Sequence, residues 1–302
     1  MRLQHLQLIL TLAETGTLRA AAGRLNVTQP ALTKALRQLE DEFGTPMVLR
    51  SSKGVRLTAA GELVAARAAS VIREIDRARD EVAWQLRHAH ARVSIGVSPA
   101  AAIVLMPGVL ARVRARWPQV HVSVLDAIYP RALTMVRAGE IDLAVGPLPA
   151  EGAGRDLRVQ PLFDAQQVLV VRAGHPLARA RRLAEIQHAG WVVTGPPTGP
   201  GDPMHLGFDR LGLATPPVVL ACESFSTLVA LLPSVDAIGI MPKGFFDQYA
   251  SRLGVVKLPI DDPLPRVTLH AVWRADAPLT APAAHLLDAM EQEARAVRAA
   301  RV

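Results

Sequence analysis

Cysteine is almost missing from this chain. Cys222 is the only one in 302 residues, which excludes an internal disulfide framework and a zinc site built on thiolates. Lysine supplies only 4 of the 34 basic residues, so the positive charge is carried by arginine. No run approaches the roughly 20 uninterrupted apolar residues of a membrane span. The apolar stretch "MRLQHLQLILTLAETG" is interrupted by Gln4, His5 and Gln7, and no small-residue cleavage site follows it. It reads as an amphipathic helix and not as a signal peptide, so a cytoplasmic protein without a membrane partner is expected. Catalytic constellations are missing too. The nine histidines form no H-E-x-x-H, and "GPPTGPG" lacks both the G-K-[ST] ending of a phosphate loop and the order of G-x-G-x-x-G. No enzyme activity, metal or cofactor is expected. The enzymatic alternative is a small-molecule hydrolase using Cys222, beside Glu223, as nucleophile.

What is present is unevenly distributed. Residues 1–92 hold 14 Lys+Arg and 9 Asp+Glu, a balance of +5, whereas the other 210 residues carry only +2 of the total +7. A small basic segment joined to a large near-neutral one suggests that the former meets a polyanion. Within it, "NVTQPALTKALRQLEDEFG" (26–44) sorts its side chains in an unusual way. Thr28 is a natural N-cap, and Pro30 is tolerated in the first turn. Leu32, Leu36, Leu39 and Phe43 form one apolar stripe. Gln29, Thr33 and Arg37 stack at i, i+4, i+8 on an adjacent face, with Pro30 and Lys34 beside them. Glu40, Asp41 and Glu42 are held back to the last turns, so the uncharged and basic half would enter a groove of DNA. The preceding "GTLRAAAGRLNVTQ" fits a short helix with Ala20, Ala21, Ala22 and Leu25 packed closely, and Asn26-Val27 is a turn of helix-turn-helix length. Val48-Leu49 and Val55-Arg56-Leu57 flank "RSSKG" as a hairpin whose tip carries Arg50 and Lys53, a wing placed against phosphate or a minor groove.

These residues resemble the LysR-type transcriptional regulators. Ala21-Ala22, Leu25, Thr28-Gln29-Pro30-Ala31-Leu32-Thr33, Leu36, Leu39-Glu40 and Phe43-Gly44 follow that family's helix-turn-helix signature in order. Arg50, Leu57-Thr58 and Ala60-Gly61 match its wing, whereas Met47-Val48 stands where Leu-Phe is usual. The resemblance implies that Thr28, Gln29, Pro30, Thr33, Lys34 and Arg37 face the major groove, and Arg50 and Lys53 the backbone or minor groove. The alternative for this segment is an architectural DNA-binding protein indifferent to sequence.

From Thr58 to about Arg87 one helical pattern runs on, with Val64, Ala68, Val71, Ile75, Ala78 and Val82 alternating four and three apart. A helix of roughly 45 Å is too long for a 60-residue headpiece to cover, so dimerisation is expected. From Ala91 the texture changes to short β-rich runs alternating with helices. "RVSIGV", "VHVSVLD" and "IDLAVGP" read as buried parallel strands, separated by helices over 102–116 and 130–138. "QQVLVV", "GWVV", "PVVLA" and "AIGIM" follow, with helices near 182–188, 203–211, 224–232 and 242–250, then "VTLHAVWR" and a helix from about 280.

The expected class is therefore a multi-domain chain. A winged helix-turn-helix occupies residues 1–60, a linker and dimerisation helix 58–90, and an α/β effector domain of periplasmic-binding-protein type 91–302. The resemblance splits the last into lobe I (91–163 and 267–302) and lobe II (164–266). A ligand would lie between lobes, at strand ends and helix starts. The effector-binding candidates are Ser98 and Pro99; Thr194, Thr198, Gly199, Pro200 and Gly201; and Glu223, Ser224 and Phe225, with Tyr129 and Met241 as apolar walls. Oxyanion-friendly helix starts favour a small carboxylate or sulfonate, and "ESF" with "PTGPG" is similar to regulators of aromatic sulfonate or amidobenzoate catabolism. The expected partners are double-stranded promoter DNA with an interrupted palindrome, a small-molecule effector, and further copies of the chain as homodimer or homotetramer. RNA polymerase is a further candidate.

Overall fold

A computed structural model describes residues 2–51, 54–85, 91–202 and 204–299. The chain divides into two compact units. The first runs through the N-terminal residues to the end of the long helix, with residues 138–140 grouped to it; the second holds the rest from residue 88.

The first unit is built from α1 (Leu3–Thr15), α2 (Leu18–Arg24), α3 (Gln29–Phe43), the antiparallel hairpin β1 (Val48–Ser51) and β2 (Gly54–Leu57), and α4 (Ala59–Gln85). Its helices start and stop where local chemistry dictates. Thr17 caps α2 by accepting the Ala20 N–H at 3.2 Å, and Thr28 caps α3 by accepting that of Ala31 at 3.3 Å. Left-handed Gly16 and Gly44 end α1 and α3. Leu6, Ile9 and Leu12 of α1 meet Ala21 and Ala22 of α2, Leu32, Leu36 and Leu39 of α3, and Ala65 and Ala68 of α4 in one core. Met47 and Val48 are buried in it, so these two side chains fill the space below the wing. Two residues expected to pack do not: Ala20 is exposed, and Phe43 is 46% exposed at the end of its stripe.

One joint ties the end of α3 to the start of α4. Glu40 Oε1 accepts the Met47 N–H at 2.9 Å, and Met47 O accepts that of Thr58 at 3.0 Å. The Thr58 hydroxyl donates to Pro46 O and accepts the Gly61 N–H at 3.0 Å. The acid of α3 read as a charge kept away from DNA thus also has a structural partner. The seam of α4 divides in two. Ala68 is buried and Val64 half-buried on the headpiece, while Val71 and Val82 are 43% and 56% exposed. Residues 86–90, the end of the expected linker, lie outside the described residues.

The second unit contains two five-stranded sheets. Its elements in chain order are β3 (Arg92–Val97), α5 (Pro99–Val104), α6 (Met106–Arg116), β4 (His121–Asp126), α7 (Arg131–Ala138), β5 (Leu143–Gly146), β6 (Leu157–Ala165), β7 (Gln167–Arg172), α8 (Leu183–Ile186) and β8 (Trp191–Thr194). They continue through α9 (Met204–Arg210), β9 (Val218–Cys222), α10 (Phe225–Leu231), β10 (Ile238–Pro242), α11 (Lys243–Leu253), β11 (Val255–Lys257), β12 (Val267–Arg274) and α12 (Ala281–Ala299). One sheet has the order β4-β3-β5-β12-β6 and the other β11-β7-β10-β8-β9. The chain leaves the first sheet after β6, builds the whole of the second, and returns as β12.

Several details differ from expectation. The helix expected over 102–116 is two, interrupted at Leu105. β3 pairs in parallel with β4 and β5, but β4 is an edge strand with much of its length exposed, not a buried one. β6 and β11 were not foreseen. β6 pairs antiparallel with β12 across an irregularity at Leu269/His270, opposite Pro161. Proline cannot donate to a ladder and is confined to edges and bulges, and this strand offers both. The expected helix start near Pro203 is at Met204, with Pro203 itself outside the described residues.

Candidate functional site

Two surfaces carry the predicted site residues. On α3, Thr28, Gln29, Pro30, Lys34 and Arg37 are exposed and Thr33 is half-exposed. The Thr28 hydroxyl serves as the cap, and the Thr33 hydroxyl donates to Gln29 O at 2.9 Å. Both oxygens keep acceptor capacity. Gln29, Lys34 and Arg37 make no side-chain hydrogen bond or ion pair among the described residues, and their full donor sets face outward. Arg50 is exposed on β1, and the neighbouring strand adds exposed Arg56, paired with Leu49 and missed as a candidate. Lys53 lies outside the described residues.

The second surface is a cleft in the larger unit. Ser98 and Pro99 line it where β3 passes into α5, and Thr194, Pro200 and Gly201 line it after β8. Tyr129 and Phe225 add aromatic wall. Its floor comes from both passages of the chain between the sheets: Gln167 opens β7, and Val267 and Leu269 open β12. Gly195 joins the lining with φ +92°, and a Cβ there would stand 3.3 Å from Ile128 Cδ1. Glycine lets the loop lie close against the opposite wall.

Three polar atoms of this cleft share one property. Ser98 Oγ, Gln167 Oε1 and Thr194 Oγ1 are out of contact with solvent and have no hydrogen-bond partner within the protein. Ser98 occupies the N-cap position of α5, yet its side chain makes no capping bond. Buried polar groups in folded proteins are nearly always paired, so three unpaired ones lining a single cleft are an exception with a direction. Among the described residues no charged side chain lines the cleft. A wider hollow sharing Ile128, Tyr129, Gly195 and Pro196 is lined by Asp126, Arg131, Cys222 and Glu223. Desolvation pushes the Asp126 carboxyl above the usual carboxylate range, and burial pushes the Cys222 thiol up, away from the thiolate a nucleophile needs.

Five predicted effector residues lie off the lining of this cleft, and of these Glu223 lines the wider hollow instead. Met241 is buried in the core behind the sheet with Val168 and Leu228, and its neighbour Ile240 faces the cleft in its place. Thr198 is exposed at φ +58°, its N–H held by Asp202 at 3.1 Å. Gly199 closes a turn by donating to Pro196 O, and Ser224 Oγ pairs with Ser226 Oγ at 2.7 Å. Buried Asp202, missed as a candidate, also accepts the Met204 N–H and so pins the loop at two points. Gln167 was missed as well; a glutamine opening "QVLVVR" has no sequence signal beyond its place at a strand start. Among the described residues no group of three His, Cys, Asp or Glu could hold a metal ion, and no helix is long and apolar enough to cross a membrane.

Comparison with known proteins gives two matching family models. One, described as bacterial regulatory helix-turn-helix protein, lysR family, matches residues 3–62; the other, the LysR substrate binding domain, matches residues 86–295. The chain is 28% identical over 270 residues to the HTH-type transcriptional regulator TdcA of Escherichia coli strain K12, covering 89% of this chain and 86% of that protein. It is 27% identical over 300 residues to the DNA-binding transcriptional dual regulator OxyR of the same strain, covering 99% and 95%. Among solved structures, full-length CbnR complexed with its target DNA has a similar fold, with a TM-score of 0.74 over 97% of this chain and 100% of that one at 19% identity. Full-length BenM gives 0.55 over 100% and 98% at 18% identity.

Proposed function

The chain belongs to the LysR family of bacterial regulatory helix-turn-helix proteins, and from that premise we propose how its two surfaces work. It is a DNA-binding transcriptional regulator with an effector-binding domain. In our reading the exposed face of α3 enters the major groove. Gln29, Thr33 and Arg37 read bases or fix register, while Lys34, Arg50 and Lys53 anchor phosphates, with Thr28 and Pro30 at the leading end. The observation that carries this is the outward, unpartnered donor set of Gln29, Lys34 and Arg37. The fold neighbour CbnR is seen on its target DNA, which supports the same use here. Exposed Val71 and Val82 on α4 suit pairing with a second copy, and a two-fold pair matches an interrupted palindrome. We further infer a cytoplasmic homotetramer that acts without catalysis and meets RNA polymerase at its promoter.

The cleft would hold a small acid, a carboxylate or sulfonate with an aromatic or aliphatic body. Ser98 and Thr194 would donate their hydroxyl hydrogens to its oxygens, and Phe225, Ile128 and Leu269 would cover its apolar part. An effector that binds one cleft geometry more tightly shifts the population toward it, and promoter occupancy follows. Mobility-shift competition tests the DNA half of the reading. The full chain should hold DNA from upstream of its own gene against an excess of random DNA, by several kcal/mol of preference. Equal displacement by random DNA would replace the regulator with an architectural protein.

A further inference from the structure

We propose that Gln167 is a specificity-determining residue, whose side-chain oxygen selects effectors carrying a hydrogen-bond donor, a hydroxyl or an amino group, in addition to their acid group. The inference rests on the acid-binding reading of the cleft and narrows it.

Gln167 occupies a constrained place. Only Gln166 separates β6 of one sheet from β7 of the other, and Gln167 is the first residue beyond it. Its backbone is in register with Pro242 of β10, and the Lys243 N–H donates to Gln166 O at 2.9 Å. The residue is thus held by the passage between the sheets, and its side chain lines the cleft with Ser98 and Thr194.

The three unpaired atoms do not ask for the same partner. A hydroxyl can donate or accept, so Ser98 Oγ and Thr194 Oγ1 are satisfied by the oxygens of an acid. An amide oxygen only accepts. A bare carboxylate or sulfonate offers acceptors alone, so it would leave Gln167 Oε1 buried and unpaired, as it is within the protein. Among the described residues no lysine, arginine or histidine lines the cleft to supply the missing hydrogen. A ligand O–H or N–H would, and sites built to bond such a group discriminate strongly against analogues that lack it. Turning the amide over would put Nε2 with its two donors in the place of Oε1, and an acid without a donor would then bind equally well.

Matched probes decide between these. Binding to the full chain is measured by calorimetry for benzoate against its 2-, 3- and 4-hydroxy and amino derivatives, and for propionate against lactate. In at least one series the donor-bearing member should bind about ten- to a hundredfold more tightly. Gln167→Met, apolar and of similar length, should remove that gap while changing the donor-free member by no more than about threefold; Gln167→Leu serves as a second variant. Equal binding by donor-free and donor-bearing acids overturns the role of Gln167 and leaves the acid-binding cleft standing. A gap that persists in both variants also overturns it, because the donor is then read elsewhere. Silence across every probe overturns the acid reading together with the inference.

Discussion

Gly61→Ala and Gly23→Ala make the same chemical change in two helices of the headpiece, and they should act in opposite directions. A Cβ built on Gly61 would stand 2.1 Å from Met47 O, whereas one on Gly23 meets nothing within 4 Å. Ordinary contacts stay beyond about 3 Å, so the first turn of α4 and the lead into β1 must separate by about 1 Å. They cannot do so freely, because Thr58 bonds Pro46 O and Met47 O while capping Gly61, and Glu40 holds Met47 from the other side. Overpacking of this kind costs about 3 kcal/mol, and the better helix propensity of alanine returns about 1 kcal/mol. The net loss is about 2 kcal/mol for Gly61→Ala, against a gain of up to about 1 kcal/mol for Gly23→Ala. Native-state hydrogen exchange isolates the headpiece from the rest of the chain. Amides of Leu8, Ile9 and Leu12 in α1 should exchange about 30-fold faster in Gly61→Ala and no faster in Gly23→Ala. Unchanged protection in Gly61→Ala would refute the joint as the reason for a glycine there.

Other consequences can be checked in parallel. Arg37→Ala should weaken DNA binding and lower the salt slope by about one released counterion, read from anisotropy titrations at several salt concentrations. Asp202→Ala removes the acceptor of two backbone N–H groups, so it should destabilise the larger unit by about 1–3 kcal/mol in denaturant titrations. The Cys222 thiol is buried and held in its neutral form, so alkylation by iodoacetamide at pH 8 should be far slower than for a free thiol. His175 accepts the Leu177 N–H through Nδ1, and burial lowers its pKa; burial also lowers that of His270. Both therefore hold a proton less tightly when folded than when unfolded, so the unfolded chain binds more protons as pH falls below about 6.5. Stability should therefore drop from pH 7 to pH 5, less steeply in His175→Asn, as measured by urea midpoints.

How much of this was legible in the sequence differed from element to element. α3 could be read almost residue by residue, because its cap, its apolar stripe and its polar face are all local features. The wing and the long helix followed from turn residues and unbroken periodicity. β6 was not legible, since Pro161 argues against a strand, and only an edge position with an irregularity makes it tolerable. Met241 shows a different limit. All five residues of β10 are buried, so both faces of the strand are covered and alternation cannot tell which side chain meets the cleft. Ser98 and Thr194, which line the cleft, could be named as candidates because strand ends and helix starts are where ligands bind in open α/β sheets. Gln167 could not be found that way. Its importance comes from a lost partner, which is a property of packing and not of spacing.

The most direct test of the central reading is a hydroxyl-radical footprint of the full chain on DNA from upstream of its own gene. Wild-type protein should protect two related half-sites on one face of the duplex, and the protection should fade in Gln29→Ala and Arg37→Ala at matched concentration. Uniform protection along the DNA, or an identical footprint in both variants, would contradict the assignment of α3 as the element that reads the sequence.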